Sequence, residues 1–376
     1  MAGPSAPGVE KPTPYAQDDL RSVSGYTSDL VEPLEMFYDS ESGQAMKTSG
    51  GETSQHAVNL GVLLFSAAAA WVAPLETFIV AYAVIGPFHY LTEMAWLRKK
   101  QFFFGDGVVS PRVYLITASV LCIFASLDLY FKRGWAVYAI GLLIVLSLGA
   151  MVKNVPVLMG ALALVFATKF FVHGYGLFVA AFVPTVVHVY FFTLIFLISG
   201  AMRGRRMSVL GWVNPLLLLV IPLVMIRLSA RFGVHTPGAY WMSSEASFAD
   251  VHEYISGLMG LGMHFNAGGT LAPNAVATFR FLAFIYLHHY LNWFAKTELL
   301  AWHKVSRRSW VAIVTIYAAM IGSYAYNFAV GFYASYFVSL LHVLLELPLN
   351  WRGGVGIVAQ PWSAWRARRA AEVLVP

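Results

Sequence analysis

Apolar residues fill this chain in long blocks from about residue 57 to residue 350, with only short polar breaks between them. As a helix, a block of about 18 to 25 residues crosses the hydrocarbon core of a bilayer. Ten blocks of this length are read, roughly 57–73, 75–97, 112–131, 134–152, 155–172, 175–202, 209–228, 274–303, 309–330 and 331–350. They predict an all-α fold, a polytopic integral membrane bundle of about ten transmembrane helices. The weakest joins fall at Pro74 and near Gly331, where two blocks follow one another almost without a loop.

The polar stretches divide the rest. Residues 1–56 are rich in Pro, Ser and Gly and predict a polar cytoplasmic tail with no cleavable leader. Residues 351–376 predict a basic cytoplasmic tail. The one long connection, 229–273, separates the seventh and eighth blocks, and its segment 246–263 predicts an interfacial helix placed to cap a cavity.

Basic residues set the orientation. Arg98, Lys99 and Lys100 follow the second block, Arg203, Arg205 and Arg206 the sixth, Lys304, Arg307 and Arg308 the eighth, and Arg366, Arg368 and Arg369 the tenth. By the positive-inside rule both termini are cytoplasmic, in an inner membrane. Composition agrees, with 58% hydrophobic residues, 12% charged and a mean hydropathy of +0.64. The net charge of +6 comes from small groups beside apolar blocks, so no nucleic-acid partner is expected. A single cysteine, Cys122, leaves no disulfide framework and no thiolate metal site.

Against this background the polar residues inside the blocks stand out. Phe281 to His303 carries His288, His289, Asn292, Lys296, Glu298 and His303, with His289, Asn292, Lys296 and His303 along one side of a continuous helix. Ionisable groups at membrane depth mark functional sites by default. His89, His188, the His288–His289 pair and His342 all lie about 10 to 15 residues from the nearest loop, on even-numbered and therefore parallel spans, at one common depth. His89 has Glu93 one turn further on, and His342 has Glu346, a spacing that puts both groups of each pair on one face.

Five histidines and two glutamates suit a transition metal, with imidazole and carboxylate together favouring non-haem iron, one or two ions, over Mn, Zn or Cu. The predicted ligands are His89, Glu93, His188, His288, His289, His342 and Glu346, with Tyr290, Asn292 and Lys296 in supporting roles. The remaining histidines, His56, His173, His235, His252 and His264, read as surface residues, and Asp128, Lys169 and Glu76 as boundary charges.

The clustered histidine boxes of membrane desaturases and hydroxylases are absent; His288–His289 is the only adjacent pair. In carrying isolated histidines on several spans the chain is similar to bacterial membrane carotene dioxygenases, a likeness of site type without a shared motif. The expectation is a metal-dependent oxidoreductase acting on an apolar or lipid-like substrate within the bilayer. Its electrons would come from a cytoplasmic donor, since no flavin or nicotinamide fingerprint is present. Two alternatives stand beside it, a proton-coupled transporter or channel with a helix break at Gly86-Pro87, and a haem protein with two histidine ligands.

Overall fold

A computed structural model describes residues 49–100, 109–152, 154–171, 175–203, 209–262, 270–296 and 305–373. Among them the chain is helical, and an isolated bridge between His235 and Leu271 is the one β pairing. Of the two units distinguished, the one formed by residues 46–357 carries the site described below.

Its helices follow the apolar blocks. They are α1 (Ser49–Val72), α2 (Pro74–Val80), α3 (Gly86–Lys100), α4 (Pro111–Phe131), α5 (Ala136–Gly149), α6 (Val155–Phe171), α7 (Tyr175–Leu177), α8 (Thr193–Arg203) and α9 (Val209–Phe232). Then come α10 (Ala239–Glu245), α11 (Ala249–Leu258), α12 (Pro273–Phe294), α13 (Arg307–Tyr326) and α14 (Phe328–Val373). Seven helical segments are long and apolar enough to cross a membrane, and α5 and the apolar part of α6 are shorter. With 22 residues α12 has the length, but Arg280, His288, His289 and Asn292 lower its hydropathy.

That deficit reflects where α12 sits. Every residue from Ala275 to Tyr290 is buried, because α12 runs through the middle of the unit, packed against α1, α2 and α9. Arg280 is hydrogen-bonded locally. Its guanidinium donates to the Ser229 hydroxyl at 2.8 Å and the Trp71 carbonyl at 3.1 Å, and stacks on the Trp71 ring at 3.7 Å.

Two stretches are π-helical, Ala81–Ile85 between α2 and α3, and Phe178–Phe192 between α7 and α8. Each lies at a proline, Pro87 after the first and Pro184 inside the second. A proline cannot donate to the carbonyl four residues back and collides with it, and a wider turn relieves both problems without breaking the helix. Gly86, at the exit from the first, is required by packing. A Cβ there would lie 2.9 Å from the Tyr90 hydroxyl and 3.1 Å from that of Tyr290.

Several expectations need correction. The eighth span ends at Phe294, with Ala295 in a turn, so Lys296 is not on the helical stripe of His289 and Asn292. Glu298 and His303 lie outside the described residues, as do His173 and His264. The last helix continues to Val373 where a tail was expected. The join expected at Gly331 falls at the extended Asn327, and Gly331 gives Tyr324 room to pack. Segment 246–263 is a turn followed by the ten-residue α11, which buries Ile255 and His252. His252 is therefore a core residue, because it shares the apolar face of α11 with Phe248 and Ile255.

Candidate metal centre

Four imidazoles, from α3, the long π-helical stretch, α12 and α14, close into a ring. Successive ring centroids are 4.9 Å apart for His89 and His289, 5.2 Å for His289 and His188, 5.0 Å for His188 and His342, and 5.0 Å for His342 and His89. Each pair meets edge to face. The side chains of Glu93 and Glu346 lie against this ring. None of the six side chains belongs to a residue more than 9% exposed, so bulk water does not reach them.

The pairing crosses between helices. Glu93 Oε2 is 3.2 Å from His89 Nε2 on its own helix but 3.0 Å from His342 Nε2 on α14. Glu346 Oε2 is 3.2 Å from His188 Nδ1 and 4.0 Å from His342 Nε2. The i,i+4 spacing put each acid on the right face, and bundle packing gave each a second imidazole from another helix. Two donor sets result, His89 with Glu93 and His342, and His188 with His342 and Glu346, each with its ligand atoms within 4.8 Å of one another. His342 belongs to both.

The nitrogens of this cluster are poorly satisfied by the protein. His89 Nε2 and His188 Nδ1 each face a carboxylate oxygen at 3.2 Å without hydrogen-bond alignment, and His89 Nδ1, His188 Nε2 and His289 Nε2 make no hydrogen bond. Buried polar atoms are rarely left so, and a cluster of them calls for a ligand. His289 shows how its lone pair is aimed. The Thr193 hydroxyl gives its hydrogen to the Val189 carbonyl at 2.7 Å, so it accepts from His289 Nδ1–H at 2.7 Å. The Nε2 lone pair is thereby left for a metal, as an outer partner of a metal-bound histidine does.

Around the centre, Tyr290 stacks obliquely 4.8 Å from His89, and its hydroxyl meets that of Tyr90 at 2.6 Å. Trp293 lies 5.8 Å from His89 and donates to the Thr92 hydroxyl at 3.3 Å. Asn292 is buried with its carbonyl oxygen unpartnered. Lys296 is half-buried just beyond α12, interacts with both Glu93 and Glu346, and holds its ammonium 5.6 Å over the Phe196 ring. A cavity of about 50 Å³ reaches from His188 and His342, past Tyr82, Tyr90 and Tyr286, to Phe248 and His252.

His288 is the one predicted ligand outside the ring. Adjacent positions on a helix point about 100° apart, so only His289 joins the other imidazoles, while His288 packs near Phe284. Sequence reasoning also missed Thr193. It lies five residues after His188, off an α-helical stripe, and only π-helical geometry turns both inward. Outside the spans, burial beside Phe78, Phe248 and Phe279 lowers the His252 imidazole below its usual range, although Glu245, 3.1 Å away, pulls the other way. His235 and Glu76, both read as lone boundary or surface groups, pair at 2.8 Å.

No family model matches the chain, and no curated protein or solved structure is similar enough to lend it a role.

Proposed function

We propose that this chain is a metal-dependent oxidoreductase of the inner membrane, with about ten spans and both termini cytoplasmic, acting on an apolar or lipid-like substrate. His89, Glu93, His188, His289, His342 and Glu346 hold one or two transition-metal ions, iron before manganese, zinc or copper. The observation that carries this reading is the closed ring of four buried imidazoles with two carboxylates and several unmatched ring nitrogens. Iron bound there would supply activation of dioxygen. The chain's own residues do the rest. Thr193 fixes the His289 tautomer, Glu93 and Glu346 each face imidazoles from two helices, and Tyr90, Tyr290 and Trp293 keep bulk water from the ring.

A proton-relay or transport role remains the second reading, favoured by the chain of buried His–Glu contacts from His89 through Glu93 and His342 to Glu346 and His188. It expects a broken helix at Gly86-Pro87, whereas Pro74–Lys99 runs on through a π-helical turn. Imidazoles packed this closely leave no plane for a porphyrin between them, so the haem reading draws no support from the geometry.

The test is chemical. Membranes containing the protein are loaded anaerobically with ferrous iron, given excess ascorbate as the source of the two electrons that each turnover takes besides those of the C–H bond, and exposed to dioxygen. Their lipids are then extracted and analysed by mass spectrometry. Gain of an oxygen atom or loss of two hydrogens, absent with Glu93→Ala, supports the reading. Identical extracts with and without the wild-type chain refute it.

A further inference from the structure

A second concave feature lies on the other side of α3 from the metal ligands. A groove of about 630 Å³ runs between α3 and α13, which pack against one another. Leu91, Ala95, Ile313 and Ile316 form its apolar walls. Arg98 and Lys99 line it at one end, with Ser306 and Ser309 across from them. From Leu91 to Lys99 the α3 wall spans nine residues, a drop of about 12 Å along the axis.

Both walls belong to membrane-crossing helices, and α13 is mostly bare. Only 17% of its apolar window is buried, and Val311, Val314 and Ile316 are exposed. The groove therefore opens sideways to the bilayer, and an alkyl chain suits its walls. The basic end decides the rest. Arg98 and Lys99 are exposed at the close of α3 and line the mouth, and Arg307 and Arg308, also exposed, follow the lining residue Ser306 in sequence. Basic clusters at the ends of membrane helices attract anionic lipid headgroups, worth about 1 kcal/mol for each residue near the surface.

We propose that this groove is a binding site for an anionic membrane lipid, with one acyl chain between α3 and α13 and the headgroup at Arg98 and Lys99. The site goes beyond the metal reading and does not rest on it. If both are right, they meet at one wall. Thr92 lines the groove and accepts from Trp293, whose ring is 5.8 Å from His89, so this contact links the groove wall to the surroundings of the candidate centre. An anionic lipid is then the substrate class that the groove would present.

Trp96 lines the groove and reports on it. The full-length protein in detergent micelles is titrated with phosphatidylglycerol or phosphatidylcholine carrying brominated acyl chains, and quenching of the emission lost in Trp96→Phe is followed. A preference for phosphatidylglycerol on the order of tenfold is expected, falling to about twofold or less when Arg98→Gln and Lys99→Gln are combined. Ala312→Phe, which fills the groove from an exposed position, abolishes quenching by both lipids while leaving bound metal unchanged. Equal quenching by the two lipids in the wild type, or a preference that survives the double substitution, overturns the proposal. Metal content measured on the same samples separates this outcome from failure of the metal reading.

Discussion

Between α4 and α5 the buried groups are of the kind that hold membrane helices together. Ala118, Cys122, Ala125, Ile140 and Leu143 pack as an apolar cluster. The Tyr114 hydroxyl lies 2.7 Å from the Leu344 carbonyl and 2.9 Å from Ser147, and Ser147 donates to the Leu143 carbonyl at 2.9 Å. At the centre of the bundle six ionisable side chains share a comparable depth of burial, yet nitrogens of His89, His188 and His289 have no hydrogen bond. Polar groups used as interhelical glue are satisfied within the protein. The central ones are kept close and only partly satisfied, which is what the proposed metal reading expects.

The largest expected effects separate the two regions by what is lost. His342→Ala removes a donor from both ligand sets and should lower metal occupancy more than tenfold, measured by elemental analysis. Leu143→Ala, in the apolar cluster, should cost about 2 kcal/mol or more in thermal or denaturant unfolding and leave occupancy unchanged. If Leu143→Ala also emptied the site, the two regions would not be separable.

A smaller effect is expected one step out from the ligands. Thr193→Val keeps the shape but removes the acceptor for His289 Nδ1–H, and metal affinity should fall by about 10- to 100-fold. An unchanged affinity would mean that His289 is not a ligand. By contrast Tyr114→Phe, which deletes the corresponding hydroxyl in the glue region, should cost about 1 kcal/mol or less and leave affinity untouched.

The His252–Glu245 pair, outside the spans, gives the mildest contrast. Burial lowers the folded-state pKa of His252 below its unfolded value of 6.5. The neutral ring is favoured on folding, so its contribution is complete above that unfolded value and is lost as pH falls through the folded one. Amides of residues 251–256 should therefore exchange faster at about pH 5 than at about pH 7.5, after correction for intrinsic rates, and His252→Gln should flatten the difference.

The sequence made the helical blocks, the common depth of the histidines and the two His–Glu pairs legible, because each depends on block length or on local helical spacing. What it could not supply came from departures from that spacing. The π-helical stretch at Pro184 brings Thr193 round to His289, a contact that a period of 3.6 hides. Packing, not spacing, carries Glu93 across to His342 and Glu346 to His188. The end of α12 at Phe294 and the burial of His252 likewise depend on neighbours distant in sequence.

The most direct test is the transition-metal content of the purified wild-type chain beside His89→Ala and His342→Ala variants, normalised to folded protein. The account predicts about one or two equivalents in the wild type and a clear loss in both variants. Less than about half an equivalent of any transition metal, or the same content in all three proteins, would contradict it.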